Sequence, residues 1–194
     1  MSIKFRELKQ YISRIVRISV CFEDLSYENY TLISDIPEGK YDEMYVYGVG
    51  MIDVEFPLDV YASPAVEMPK RIRLSDGYFL GAGLEVVLWE HPREDVDRCN
   101  EEVLQFKDLR YFLQSFGGFS MVKKEDWSSK VYELRDDIPH ECDELFVYGI
   151  GMEDNPEAMD EFRLKKRGTD STMTKRIVVV LSETPRQTAG EKPE

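Results

Sequence analysis

Hydrophobic positions change period along this chain in an order that occurs twice. Phe5, Leu8, Ile12 and Ile15 are three or four residues apart, as are Phe106, Leu109, Leu113 and Phe116. This spacing predicts an amphipathic helix of about three turns at each place. After the first, the period drops to two: Val16, Ile18, Val20 and Phe22 alternate with Arg17, Ser19 and Cys21, which predicts a strand with one buried face. In the second, "GGFSMVKK" takes that place, and its glycine pair predicts a looser turn from helix to strand. Further strands are predicted at about Tyr30–Ser34 and Val131–Arg135, and then over "YVYGVGM" and "FVYGIGM". The last, Leu84–Trp89 and Ile177–Ser182, are nearly continuous β-branched runs expected at the centre of a sheet and buried on both faces.

The recurrence is literal as well as periodic. "DEMYVYGVGM" (Asp42–Met51) and "DELFVYGIGM" (Asp143–Met152) agree at 7 of 10 positions, and the other three exchange one apolar residue for another. "FRELKQYI" matches "FKDLRYFL", "ISDIPEGKYDE" matches "LRDDIPHECDE", and "LEVVLWEHPR" matches "IVVVLSETPR", always in the same order. The chain is therefore a tandem duplication of a unit of roughly 90 residues, a normal size for a domain. The expected fold class is α+β, each copy having one helix packed on an antiparallel sheet of about four strands. Copy one is assigned to residues 1–95 and copy two to 96–186. The Pro-, Thr- and Gly-containing end at 187–194 is expected to be a disordered tail.

In "YGVG" and "YGIG" the alternation puts both glycines on one face of the strand. Glycine inside a strand marks a bulge or the close approach of another backbone, here most simply the covering helix. The block lacks the further glycine and following helix of a dinucleotide fingerprint, so no cofactor is expected from it.

Composition narrows the possible functions. Of 194 residues, 38 are acidic and 25 basic, for a net charge of −13, and 42% are hydrophobic. This is enough apolar material for a core, and it argues against nucleic-acid binding through a broad basic face. No run approaches the roughly 20 apolar residues that cross a bilayer, and "MSIKFRELKQ" is unlike a signal peptide. Cys21, Cys99 and Cys142 are an odd set at unrelated spacings, so no disulfide framework is expected. Together these features predict a cytoplasmic protein. His91 and His140 have no histidine counterparts in the other copy and read as solvated turn residues. There is no Gly-x-Ser-x-Gly elbow and no metal-ligand spacing, so neither a catalytic residue nor a metal site is assigned.

The duplicated surface feature is an acidic rim beside aromatics. In copy one it comprises Asp35, Glu38, Tyr41, Asp42, Glu43, Tyr45 and Tyr47; in copy two, Asp137, Glu141, Asp143, Glu144, Phe146 and Tyr148. Tyrosines among carboxylates suit a protein partner with a basic surface, through charge-assisted hydrogen bonds and cation–π contacts. The same carboxylates offer oxygen ligands for a hard cation, which would serve a metal-dependent nuclease acting on guide RNA or DNA. Basic segments at Pro69–Leu74, Arg163–Gly168 and Thr174–Val178 read first as charges that keep neighbouring strands from aggregating, and secondarily as a direct nucleic-acid contact.

With "FRELKQYI", "RISVCFED", "YENYTLISDIPEGKYDEMYVYGVGMIDVEF" and "LEVVLWEHPRE" in this order, the chain resembles small acidic accessory proteins carried by plasmids, integrative elements and phages of Gram-positive bacteria. Anti-CRISPRs, the inhibitors of RNA-guided Cas nucleases, are among them. The resemblance implies a non-catalytic inhibitor that binds a type II Cas effector nuclease or its guide-RNA complex, with the acidic-aromatic residues as the contact surface. The remaining alternative is a mobile-element interaction protein unrelated to CRISPR.

Overall fold

The computed structural model describes residues 2–14, 16–57, 78–95, 103–154 and 175–186. Among these, copy one contributes helix α1 (Phe5–Lys9) and strands β1 (Ile18–Phe22), β2 (Tyr27–Tyr30), β3 (Tyr45–Pro57) and β4 (Tyr78–Trp89). Copy two contributes α2 (Phe106–Arg110), β5 (Phe116–Lys123), β6 (Ser129–Leu134), β7 (Phe146–Asp154) and β8 (Lys175–Ser182). Each copy builds one four-stranded sheet, in the orders β2-β1-β4-β3 and β6-β5-β8-β7. The duplication read from the sequence is thus a duplication of sheets.

Three sequence expectations are corrected. The sheets are mixed rather than antiparallel: β1 runs parallel to β4, and β5 to β8. Two hairpins, β1–β2 and β3–β4, are joined through their inner strands, and alternation of side chains carries no information on strand direction. The helices are single short turns of five residues, not three turns. Ile12 and Leu113 continue the helical spacing but lie in extended bridges to the opposite copy, since so short a helix gains little by propagating and its next backbone groups find partners elsewhere. Finally, β2 ends at Tyr30, and Ile33–Asp35 forms a 3-10 turn in which the Asp35 carboxylate accepts a hydrogen bond from Leu32 N (2.9 Å). The central placement of the last strand of each copy holds, though β4 alternates buried Leu84, Val86 and Leu88 with half-buried Glu85, Val87 and Trp89.

The "YGVG" and "YGIG" blocks sit where the two copies interlock. In each, the tyrosine is the extra residue of a β-bulge, between Val46 and Gly48 in β3 and between Val147 and Gly149 in β7. Beyond the bulge, the strand pairs with the segment following the other copy's helix. Val49 N donates to Phe112 O (2.7 Å) and Val49 O accepts from Gln114 N (2.9 Å); Ile150 N donates to Tyr11 O (2.8 Å) and Ile150 O accepts from Ser13 N (2.7 Å). Before the bulge, the same edge is covered from within its own copy: Val46 N donates to Ile3 O and Val147 N to Leu104 O, both at 2.8 Å. Two edge strands are thereby closed. The approaching backbone is not the covering helix but the extended segment after the other copy's helix. A Cβ on Gly50 would stand 2.6 Å from Gln114 Oε1, so a larger residue there would displace the end of that side chain.

Arginines at equivalent positions of the two copies fasten this exchange. Arg93 Nη1 donates to the bulge carbonyl of Tyr47 (3.0 Å) and to Tyr111 O of copy two (3.5 Å); Arg186 Nη1 donates to the bulge carbonyl of Tyr148 (3.3 Å) and to Gln10 O of copy one (2.7 Å). Each guanidinium also lies over its own bulge tyrosine and an aromatic of the other copy, Phe112 or Tyr11. Buried residues of both sheets form one hydrophobic cluster, which includes Phe5, Leu8, Val20, Val49, Val86 and Leu88 together with Phe106, Leu109, Phe119, Ile150, Val179 and Leu181. The basic segments at Pro69–Leu74 and Arg163–Gly168, Cys99 and the tail at 187–194 lie outside the described residues.

A fragment of residues 1–95 keeps Val49 and β4 but loses the segment Phe112–Gln114 that closes the outer edge of β3. It is expected to sediment as a dimer, with Tyr11–Ser13 of each chain taking the place of Phe112–Gln114, or else to be unfolded. Analytical ultracentrifugation with circular dichroism checks this, and a folded monomer is the outcome that fails it.

Candidate functional site

The acidic rim is tied largely to the first helical turn of its own copy. Glu43 pairs with Lys4 Nζ and Arg6 Nη1, each at 2.5 Å, and these cations hold its carboxyl below the usual range. Asp42 has Lys9 Nζ at 4.0 Å, and its Oδ1 is buried without a hydrogen-bond donor. In copy two, Asp143 accepts from Arg110 Nε (2.7 Å) and contacts exposed His140 (2.9 Å), while the Arg110 guanidinium also donates to the carbonyls of Arg135, Ile138 and Pro139. Of the cations in "FRELK" and "FKDLR", Arg6, Lys9 and Arg110 thus serve the rim. Glu38, Asp137, Glu141 and Glu144 remain exposed, with no ion pair to another described residue.

The rim aromatics are also engaged. Tyr41, at φ 67°, packs against Phe5, Phe22 and Tyr30, and its hydroxyl lies 2.9 Å from that of Tyr30. Lys40 reaches over the Tyr41 ring and pairs with Glu28 (2.6 Å); with the Tyr30 and Tyr41 hydroxyls, this holds the Glu28 carboxyl down at about 2. Tyr47 stacks on Trp89 with ring centroids 3.9 Å apart, and its hydroxyl donates to Pro92 O (3.0 Å). Tyr148 lies under Lys124 Nζ, 4.0 Å from the ring centroid. Tyr45 is half-buried beneath Lys4, and Phe146 is half-buried beside its bridge to Gln105. Among the described residues, no group of three His, Cys, Asp or Glu is placed to hold a metal ion. No helix there is long and apolar enough to cross a membrane.

A second surface, absent from the sequence reading, is built by the two hairpin tips. Between β1 and β2, "EDLS" turns the chain with Leu25 at φ 66°; between β5 and β6, "EDWS" does so with Trp127 at φ 57°. Both residues lie in the left-handed region that this loop position normally reserves for glycine or asparagine. They are 81% and 68% exposed, at the same place in the repeat. Each tip is set by the same side-chain turn. Asp24 Oδ1 accepts from Ser26 N (2.9 Å) and Oγ (2.5 Å), and Asp126 Oδ1 from Ser128 N (2.9 Å) and Oγ (2.6 Å). These bonds lower both carboxyl pKa values and keep the aspartates ionised beside the apolar tip. The signal was present in the repeated Glu-Asp-apolar-Ser, with a bulky residue where turn chemistry favours glycine.

The outer faces of the two sheets differ. Over Gly50, copy one places Gln114, whose Oε1 also accepts from Met51 N (3.2 Å), and half-buried Glu85, whose Oε2 is 3.4 Å from the Gly50 Cβ position. Copy two has Ser13 and Val178 at the equivalent places over Gly151. Burial raises the Glu85 carboxyl pKa above its ordinary value.

Compared with known protein families, with characterised proteins and with solved structures, the chain matches none.

A carboxyl with a raised folded-state pKa contributes its full stability in acid, below the ordinary glutamate value, and loses it as the pH rises through the raised value. Glu85→Gln is therefore expected to raise the melting temperature at pH 7 and to leave it unchanged at pH 4 or below. Thermal unfolding followed by circular dichroism at both pH values checks the sign.

Proposed function

We propose that this protein acts without catalysis, by binding a protein partner with a basic surface through its two hairpin tips and the unpaired acidic positions of its rims. The observation that carries the reading is the pair Leu25 and Trp127. A bulky apolar residue held at positive φ costs on the order of 1–2 kcal/mol, and such strain marks positions kept for something other than stability. Here it recurs in both copies, on residues that bury almost nothing, flanked by Glu23 and Asp24 in one and Glu125 and Asp126 in the other. An apolar point ringed by carboxylates suits a shallow apolar pocket rimmed by Lys and Arg. Two such points on one body make the second contact intramolecular and strengthen the first.

The resemblance to accessory proteins of mobile elements gives this partner a candidate identity: a type II Cas effector nuclease, whose channel for guide and target nucleic acid is strongly basic. The acidic residues would stand in for phosphates there. This localises the protein to the cytoplasm, where such an effector works. The rim residues Asp42, Glu43 and Asp143 contribute less than expected from sequence, because cations of their own copy already hold them. Glu38, Asp137, Glu141 and Glu144 carry the negative field instead.

Two measurements test this reading. In a plasmid-interference assay, the wild-type chain is expected to protect target DNA from a type II effector and to bind the purified effector; the absence of both removes that partner. The double variant Leu25→Gly/Trp127→Gly is expected to gain about 1 kcal/mol of stability by relieving strain, while partner affinity falls about tenfold or more. Stability and binding moving in opposite directions separates a contact role from a structural one.

A further inference from the structure

We propose that the outer face of the copy-two sheet is a binding site for a small nucleotide. A groove of roughly 880 Å³ lies there, floored by Gly149–Met152 of β7 and Val178 and Val180 of β8, walled by residues 9–14 of copy one, with Trp127 and Tyr148 among its lining. This volume falls within the usual range for a small-molecule pocket. Its charge runs against that of the molecule. In a chain of net charge −13, the lining among the described residues holds Lys9, Arg14 and Arg186 and no carboxylate; Glu125 and Asp126, which precede Trp127, are not part of it. Arg14 is exposed and has no ion-pair partner among the described residues, and Arg186 uses Nη1 for its two carbonyl bonds.

The duplication supplies an internal control. At the equivalent place in copy one, three substitutions remove the same opportunity. Gln114 stands where copy two has Ser13 and covers Gly50; Glu85 stands for Val178 and adds a carboxylate; Leu25 stands for Trp127 and removes the indole. One sheet face is therefore filled and acidic, and the other open, cationic and aromatic. The interlock needs neither difference, because the backbone bonds of Tyr11–Ser13 and Phe112–Gln114 are equivalent.

Cations beside an exposed indole fit a planar ring bearing phosphate: the ring stacks on Trp127 and the phosphates meet Arg14 and Arg186. The net charge selects for size. A long polyanion must also lie along the acidic remainder of the surface, whereas a mononucleotide meets only the groove.

Isothermal titration calorimetry on the full chain tests this with ATP, GTP, AMP, adenosine, pyrophosphate and a single-stranded oligonucleotide. At least one nucleotide is expected to bind with a Kd below about 1 mM, at least about tenfold more tightly than adenosine or pyrophosphate, and more weakly as salt is raised. Ser13→Gln, which copies the Gln114 arrangement and leaves both hairpin tips unchanged, is expected to weaken binding about tenfold or more, as is Trp127→Leu. Trp127 is largely exposed, so Trp127→Leu keeps its fold, which unfolding curves verify. Absence of binding by every nucleotide, wild-type affinity in both variants, or tighter binding of the oligonucleotide than of any nucleotide each overturns the proposal.

Discussion

Four backbone hydrogen bonds, two at Val49 and two at Ile150, hold the architecture in its present form. Each closes an exposed strand edge with a segment from the opposite copy, and each requires that segment to approach beside a strand carrying glycines. The bulges at Tyr47 and Tyr148 shift the register just before the exchange, and Arg93 and Arg186 tie the bulge carbonyls to the helix ends they face. The shared hydrophobic cluster accompanies this geometry, in which the segment after each helix is bonded to the other copy's sheet. An unpaired edge beside a β-branched core strand is an aggregation hazard, and the exchange removes it twice.

Much of the fold was legible in the sequence. The duplication, the central position of Leu84–Trp89 and Ile177–Ser182, and a bulge at the paired glycines were read from pattern alone, whereas the covering helix was wrongly expected to be the backbone beside them. What was not legible has physical causes. Ile12 and Leu113 continue a helical spacing although their backbone is extended, because a buried position looks the same to a periodicity whether a helix or a bridge buries it. The parallel pairing of β1 with β4 lies in topology, to which side-chain alternation is blind. Aspartate and proline do mark the turn after β2, but they do not say that Ile33 will turn inward ahead of them.

Which of the rim charges are already paired was not legible in the sequence, and again the reason is physical. Acidic and aromatic residues in both copies pointed to a rim, yet a list of residues does not show which charges are already satisfied. Lys4 and Arg6 meet Glu43, and Arg110 meets Asp143, across 33 to 39 residues of sequence, so these ion pairs were hidden. The hairpin tips were overlooked for the opposite reason. "EDLS" and "EDWS" look like ordinary polar turns until the backbone angle shows that their apolar residue occupies a conformation it disfavours.

The interlock also governs how the halves can change. In a dimer of identical chains, every substitution appears on both sides of the axis, so an open groove on one side entails an open groove on the other. Here both halves lie on one polypeptide, and Ser13 and Gln114 are separate codons' products facing equivalent strands. The covalent join thus breaks the equality of the two faces without loosening the contact between them, leaving one face free to take on a task while its twin continues as scaffold.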